Sequence, residues 1–200
     1  MKGSISVRTA PVAAVKDVSF LEDNGIVSIF AVHADERSDG WDVLEGLGHT
    51  GASLRSDLGM ASVNAGDPAA IAKAPRATYR FATAAKRGYD LVPDEKAVLR
   101  VIALPILPIT SENGMRAAVS IDGAPPMVLD FNAAEFTEPW RQHVLTNAAV
   151  AEVHGLGFKP GAHTLTVYAL DPGFILDRLE IAFDEASRAY GPVPETRISL

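Results

Sequence analysis

The sequence predicts an all-β protein, an antiparallel β-sandwich of the jelly-roll type with one short helix. Three observations support this fold class: most segments alternate apolar and polar residues with a period of two, turn signals separate them at fairly even spacing, and only one segment has a helical period. The 200 residues, of which 48% are hydrophobic and 22% charged, suit one domain with a substantial core.

The predicted strands are short segments rich in β-branched and aromatic residues. Asp122-Gly123 is a hairpin signal, and Pro160-Gly161 is a turn signal before another strand. The segment 52–56 also alternates like a strand. The main predicted strands span residues 25–34, 77–83, 97–104, 115–121, 126–131, 163–170 and 175–183.

One short helix is predicted within residues 137–149 and is expected to pack on the sandwich. Thr137 is a plausible N-cap, Pro139 suits the first turn, and Trp140 and Val144 share a face four residues apart. Composition alone marks three tracts as the least ordered: residues 1–20, 64–75 and 191–200. The predicted boundaries are an N-terminal extension or linker over 1–20, one sandwich domain over 21–196, and a tail over 197–200.

Charge and composition exclude several classes of function. The net charge of −7 argues against a nucleic-acid partner and against an anionic membrane, because both require a basic surface. The chain has no cysteine, so it has no disulfides and no thiolate metal site. The longest apolar stretch, 98–109, is too short to span a bilayer, and the N-terminus has no continuous apolar region typical of a signal peptide.

Residues 40–51, GWDVLEGLGHTG, contain four glycines around Trp41 and His49. The spacing fits neither GxGxxG nor GxxxxGK[ST], and a strand-like segment follows instead of a helix, so a phosphate site is disfavoured. The alternative is a turn in which glycines permit positive φ or close approach between strands. Under that interpretation Trp41 packs in the core or lines a cleft.

Acidic residues offer a weak metal hypothesis and no catalytic pair. Asp35 and Glu36 follow a strand, and Asp171 and Asp177 could supply distant oxygen ligands, but a solvated strand end explains the same pattern. The five histidines show no ligand spacing, no G-x-S-x-G motif is present, and no pair of carboxylates stands out as a glycosidase pair.

Aromatic side chains are the remaining candidates for ligand binding, since exposed rings can stack on sugar rings. Most aromatics in a sandwich belong to the core, so each is a weak candidate. The carbohydrate-binding candidates are Trp41, Trp140, Tyr89 and Tyr190.

Six segments together resemble a known family. They are IVSIFAVHA (26–34), GWDVLEGLGHTGASL (40–54), MRAAVSIDGAPPMVLDF (115–131), WRQHVLTN (140–147), PGAHTLTVYALDPGFILDRLEI (160–181) and AYGPVPET (189–196). In this order they resemble the C-terminal domain of glycoside hydrolase family 115, the xylan α-glucuronidases. The resemblance covers roughly residues 21–196, nearly the whole chain.

The resemblance implies a sandwich related to carbohydrate-binding modules that follows a large catalytic region, here absent. The chain would then be an excised domain or a truncated parent, located outside the cell or in the periplasm with that parent. Related sandwiches carry I-E-A-E-H in the first strand, whose glutamates can bind calcium, whereas Phe30 and Val32 stand here. No cofactor is therefore expected, and a structural calcium would need Asp35, Glu36 or Asp177 as substitutes.

Three functions follow from this reading. The first is a non-catalytic accessory domain of an α-glucuronidase acting on xylan, with the parent catalytic domain as partner and plant polysaccharide as a further ligand. The second is a structural module that completes the parent's fold or a homodimer and binds no sugar alone. The third, ranked last, is an independent glycosidase. Among resembling domains the position of His49 is variable and often arginine, so His49 is not expected to be a catalytic base.

Overall fold

The structure, a computed structural model, describes residues 17–83, 97–183 and 193–198. Its strands form two sheets, which confirms the predicted all-β sandwich with little helix. The strands are β1 (Phe20–Leu21), β2 (Ile26–Phe30), β3 (Glu36–Arg37), β4 (Trp41–Glu45), β5 (Ala52–Ser56), β6 (Arg76–Thr83), β7 (Ala97–Ala103), β8 (Arg116–Ile121), β9 (Met127–Asp130), β10 (Ala149–Leu156), β11 (Gly161–Ala169) and β12 (Ile175–Ala182). The helices are α1 (Pro68–Ile71) and α2 (Glu138–Thr146).

Sheet A has the strand order β1-β6-β11-β8-β9, and β3 also pairs with β6. Its pairs are antiparallel apart from β1 and β6, which run parallel. The β8–β9 hairpin turns at Asp122 and Gly123, both with positive φ, and the Ala124 N–H donates to the Ile121 carbonyl over 2.9 Å. The predicted Asp-Gly hairpin is thereby confirmed, because both turn residues adopt the left-handed conformation that this dipeptide favours.

Sheet B has the order β10-β7-β12-β5-β4, and β2 also pairs with β12. Its pairs are antiparallel, and the β12–β7 register shifts between Leu176 and Arg178. The side chains between the two sheets form one hydrophobic core. Within it Tyr79 is fully buried, and its hydroxyl donates to the Ala31 carbonyl over 2.8 Å. Burial raises the pKa of Tyr79 well above its ordinary value.

The predicted helix is confirmed as α2. The Thr137 hydroxyl accepts from the Trp140 N–H, and Asn147 ends the helix in the left-handed conformation with φ 49°. The expected packing on the sandwich is slight, because none of the nine helical residues is buried.

Two tracts marked as least ordered by composition are ordered where the structure describes them. Residues 64–75 contain α1, whose Asp67 side chain accepts from the Ala69 N–H, and Ile71 is buried in a small second cluster with Leu170. The C-terminal segment 193–198 pairs with the start of the fold, where Thr196 exchanges hydrogen bonds with Ser28. Tertiary contacts override the composition in both places.

Candidate functional site

The glycine-rich loop between β4 and β5 encloses the carboxylate of Asp177, which is fully buried. Its Oδ1 accepts from the His49 N–H at 3.1 Å, and the hydroxyls of Ser53 and Thr50 lie 3.2 and 3.4 Å from the same oxygen. Gly48 has φ +89°, and a Cβ built there would lie 2.2 Å from Asp177 Oδ1. The loop needs glycine at this position both for its backbone conformation and for room beside the carboxylate.

His49 connects this buried carboxylate to the end of α2. Its Nδ1 lies 3.0 Å from Asp177 Oδ2, and its Nε2 lies 3.1 Å from the carbonyl oxygen of Thr146. The carboxylate oxygen and the carbonyl oxygen both accept hydrogen bonds, and each ring nitrogen of His49 lies within hydrogen-bond distance of one of them. Arg178 Nη1 lies 3.1 Å from Asp177 Oδ2 and places a positive charge beside the carboxylate. His49 therefore acts as a link between β12 and α2 in this geometry.

Replacing His49 by alanine is expected to loosen α2 while leaving the sandwich folded. The change removes a ring that bonds to Asp177 and Thr146, at a cost of about 1–3 kcal/mol in the free energy of unfolding. Amide hydrogen exchange in residues 140–146 should accelerate by about tenfold, which NMR or mass spectrometry would measure.

The matched control is His163→Ala. His163 makes the same two kinds of contact, with Nδ1 2.7 Å from Asp122 Oδ2 and Nε2 2.7 Å from the Lys159 carbonyl oxygen. None of its described bonds reaches α2, so its removal should leave exchange in α2 unchanged. Equal acceleration in the two variants would show that His49 does not hold the helix.

Asp171 is a second buried carboxylate. It is bonded to Arg116, which is the first residue of β8. Arg116 donates from Nη2 to Oδ1 over 2.7 Å, from Nε to Oδ2 over 2.8 Å, and from its backbone N–H to Oδ2 over 2.9 Å. Burial alone would raise the pKa of Asp171. Hydrogen bonds from Arg116 and Ser62, with the Arg116 charge and the Gly114 backbone, outweigh burial and hold that pKa below its ordinary value.

The predicted metal candidates do not converge on one site: Asp35 and Glu36 both contact Arg80, and Asp177 contacts other residues. Asp35 bonds to the Ser19 hydroxyl and accepts from the Arg80 N–H at 2.6 Å, while Glu36 pairs with the Arg80 guanidinium. Asp177 instead lies under the glycine-rich loop on sheet B. Within residues 17–83, 97–183 and 193–198, no three His, Asp or Glu side chains are grouped as a metal ion would require. The calcium hypothesis stays a prediction.

The four aromatic candidates have different positions. Trp41 is 7% exposed and packs in the core, edge-on to Phe174 with ring centroids 6.5 Å apart. Trp140 is half-buried on α2, with its ring centroid 5.3 Å from that of Phe136. Tyr89 and Tyr190 lie outside the described residues. Of the two candidates that the structure describes, Trp140 is the less buried.

Two polar contacts were not predicted from the sequence. Glu195 accepts from the Phe30 N–H at 2.9 Å, and its Oε2 lies 2.8 Å from His33 Nδ1. Arg116 was not singled out either, although its partner Asp171 was noted. The only sequence signal is that these charged residues lie in the segments that carry the family resemblance.

The similarity to known proteins extends over nearly the whole chain. Residues 19–195 match the family described as the glycosyl hydrolase family 115 C-terminal domain. Among solved structures, BtGH115A, a family GH115 4-O-methyl-α-glucuronidase with specificity for decorated arabinogalactans, aligns with TM-score 0.59 and 22% identity over 89% of this chain and 19% of that one. The chain thus spans about a fifth of the length of this enzyme. A search of the curated proteins gave no match.

Two other solved structures align with most of this chain. The Podospora anserina GH26-CBM35 β-(1,4)-mannanase aligns with TM-score 0.50 and 14% identity, over 84% of this chain and 29% of that one. The C-terminal CBM6 of LamC, a laminarinase from Zobellia galactanivorans, aligns with TM-score 0.46 and 9% identity, over 78% and 98% of the two chains. None of the described helices is long and apolar enough to cross a membrane.

Proposed function

Because the chain belongs to the glycosyl hydrolase family 115 C-terminal domain family, we propose that it is the non-catalytic accessory domain of a larger hydrolase. Our proposal for the parent is an α-glucuronidase that acts on xylan, outside the cell or in the periplasm. Support comes from the motif series and from the similarity to BtGH115A, whose own specificity is for decorated arabinogalactans. Both polysaccharides therefore belong in the tests.

The observation that supports the non-catalytic assignment is that each buried carboxylate is bonded to a basic side chain. Asp171 is bonded to Arg116 and Asp177 to His49 and Arg178, while Glu180 Oε1 lies 3.0 Å from Arg178 Nε. A glycosidase needs two carboxyl groups that face each other across a cleft, with one kept protonated as a general acid. Buried carboxylates that are each paired with a neighbouring arginine serve the fold instead.

The 200-residue chain alone is expected to release no 4-O-methylglucuronic acid from glucuronoxylan or from decorated arabinogalactan. Incubation followed by chromatography of the products measures this directly, and the full-length parent enzyme under the same conditions is the positive control. Release of the acid by the isolated chain would overturn the non-catalytic assignment.

Polysaccharide binding is the second candidate function, and the half-buried Trp140 beside the exposed Phe136 is the observation that favours it. Affinity electrophoresis of the chain in gels that contain glucuronoxylan, neutral xylan or arabinogalactan tests it. Retardation that Trp140→Ala abolishes would support binding through this pair. Unretarded migration in all three gels would contradict sugar binding. The accessory-domain function would then stand without it.

A further inference from the structure

Sheet A turns a strip of polar side chains outward on the neighbouring strands β6 and β11. Arg76 lies directly opposite Tyr168, and Thr78 lies directly opposite Thr166. The residues that alternate with them, such as Val167, belong to the hydrophobic core, so these four side chains share the outer face. Arg76 is exposed, and the other three are half-buried. We call these four residues the polar strip.

The guanidinium of Arg76 has no partner among residues 17–83, 97–183 and 193–198. Only its backbone N–H forms a side-chain hydrogen bond there, to Ser38 Oγ over 2.8 Å. The next arginine on the same face, Arg80, is paired with Glu36. An arginine stays charged at any physiological pH and carries five donors in a planar fork. Arg76 therefore presents a complete set of donors to a ligand.

The neighbours of Arg76 add an aromatic ring and three hydroxyl groups. Tyr168 packs against the small second cluster that contains Leu170, which fixes its ring on the sheet. Its hydroxyl forms no hydrogen bond with the described part of the chain. The hydroxyl oxygens of Thr78 and Thr166 lie 3.4 Å apart. Each of these groups can donate and accept, as the hydroxyls of a sugar do. Side chains directly opposite on paired strands are close enough to touch one ligand.

We propose that the polar strip binds a uronic acid residue of a polysaccharide. Arg76 donates to the sugar carboxylate, and the ring and hydroxyl of Tyr168 contact the sugar beside it. A planar guanidinium binds a carboxylate through two parallel hydrogen bonds, which gives both strength and orientation. The inference rests on the polysaccharide-binding function proposed above, and it adds a ligand class and a site separate from Trp140.

The chemistry of the polar strip favours a sugar acid over other ligands. The net charge of −7 opposes a polyanion such as nucleic acid, whereas one exposed guanidinium suits an isolated carboxylate. A neutral sugar would leave that guanidinium without a ligand partner. A small inorganic anion would use neither the ring nor the hydroxyls beside it. A uronic acid residue uses all three kinds of group, because it joins a carboxylate to a ring that bears hydroxyls.

Affinity electrophoresis of the 200-residue chain tests the site, with glucuronoxylan compared with the same polymer after chemical reduction of its carboxyl groups. Arg76→Gln should weaken binding to glucuronoxylan by about tenfold or more and leave binding to the reduced polymer unchanged. The matched control is Arg197→Gln, which makes the same change in net charge at another exposed arginine and should have no effect. Both side chains are exposed, so neither substitution should shift the thermal midpoint.

NMR titration with glucuronic acid locates the contact without a substitution. The amide signals of residues 76–78 and 166–168 should shift, and glucose at the same concentration should leave them in place. Shifts confined to other residues would overturn the site.

The variants separate failure of this site from failure of polysaccharide binding as a whole. Equal binding by the unsubstituted chain and Arg76→Gln, equal losses in Arg76→Gln and Arg197→Gln, or equal affinity for the two polymers would each overturn the polar strip as a uronic acid site. Binding that Trp140→Ala abolishes and Arg76→Gln leaves unchanged would place the sugar on α2 instead. Absence of binding to either polymer would contradict both the site and the polysaccharide-binding function.

Discussion

Replacing Arg116 by methionine is expected to lower the free energy of unfolding by about 3–5 kcal/mol, because it leaves the Asp171 carboxylate buried without its cation. Methionine keeps much of the aliphatic length of arginine, so the loss reports the charge and its hydrogen bonds. Urea unfolding at pH 7, followed by tryptophan fluorescence, measures it. The matched control is Asp42→Asn, which removes the exposed Arg55–Asp42 pair and should cost less than about 1 kcal/mol.

The Arg116–Asp171 pair also predicts how the free energy of unfolding falls at acid pH. Because folding lowers the pKa of Asp171, its contribution is fully present above the unfolded carboxyl value of about 4 and is lost as the pH falls through the folded value. The variant Asp171→Asn, which cannot ionise, should show a flatter loss of stability below pH 4 than the unsubstituted protein. Identical acid limbs for the two proteins would contradict a structural role for the ionised carboxylate.

Gly48→Ala is expected to destabilise the protein by about 3 kcal/mol or more, through backbone strain and overlap with Asp177 together. The new Cβ would lie 2.2 Å from Asp177 Oδ1 and 2.4 Å from Ser53 Oγ. Since that carboxylate is buried and bonded to His49 and Arg178, it cannot move aside without losing those bonds. Calorimetry should show a thermal midpoint lower by roughly 6–12 °C in a chain of this size.

Gly51→Ala separates the two causes. Gly51 has φ +87°, nearly the value at Gly48, but a Cβ there would meet no atom within 4 Å. Only the backbone strain remains, so a loss of about 1–2 kcal/mol is expected. The difference between the variants measures the fit of the loop around Asp177. Losses of equal size would mean that the loop does not enclose the carboxylate closely.

The sandwich was predictable from the sequence because period-two alternation and turn residues are local signals. Strand β10 was not predicted, and the reason is also a local sequence signal. Ala148 and Ala149 follow a helical segment, and alanine has the highest helix propensity. The left-handed Asn147 ends α2, and Ala149 and Ala151 then alternate with Val150 and Glu152 in a strand. Tertiary pairing with β7 decides the conformation there.

The site depended on contacts that no local pattern encodes. His49 and Asp177 were both noted in the sequence, as a glycine-loop residue and as a possible metal ligand, but 128 residues separate them. Their meeting requires the β5–β12 pairing, whose register is fixed only in the folded sheet. The exposure of α2 was not predictable from the sequence either. Apolar residues at helical spacing predict a buried face and do not show what covers it.

The pairing of segment 193–198 with the start of the sandwich has a consequence for folding kinetics. Phe20 bridges to Arg197, and Ser28 exchanges hydrogen bonds with Thr196, at a sequence separation of 168 residues. Contacts of such high order form slowly, because a long loop must close before they contribute. We therefore expect the hydrogen bonds between Ser28 and Thr196 to form late in folding, after the two sheets have assembled.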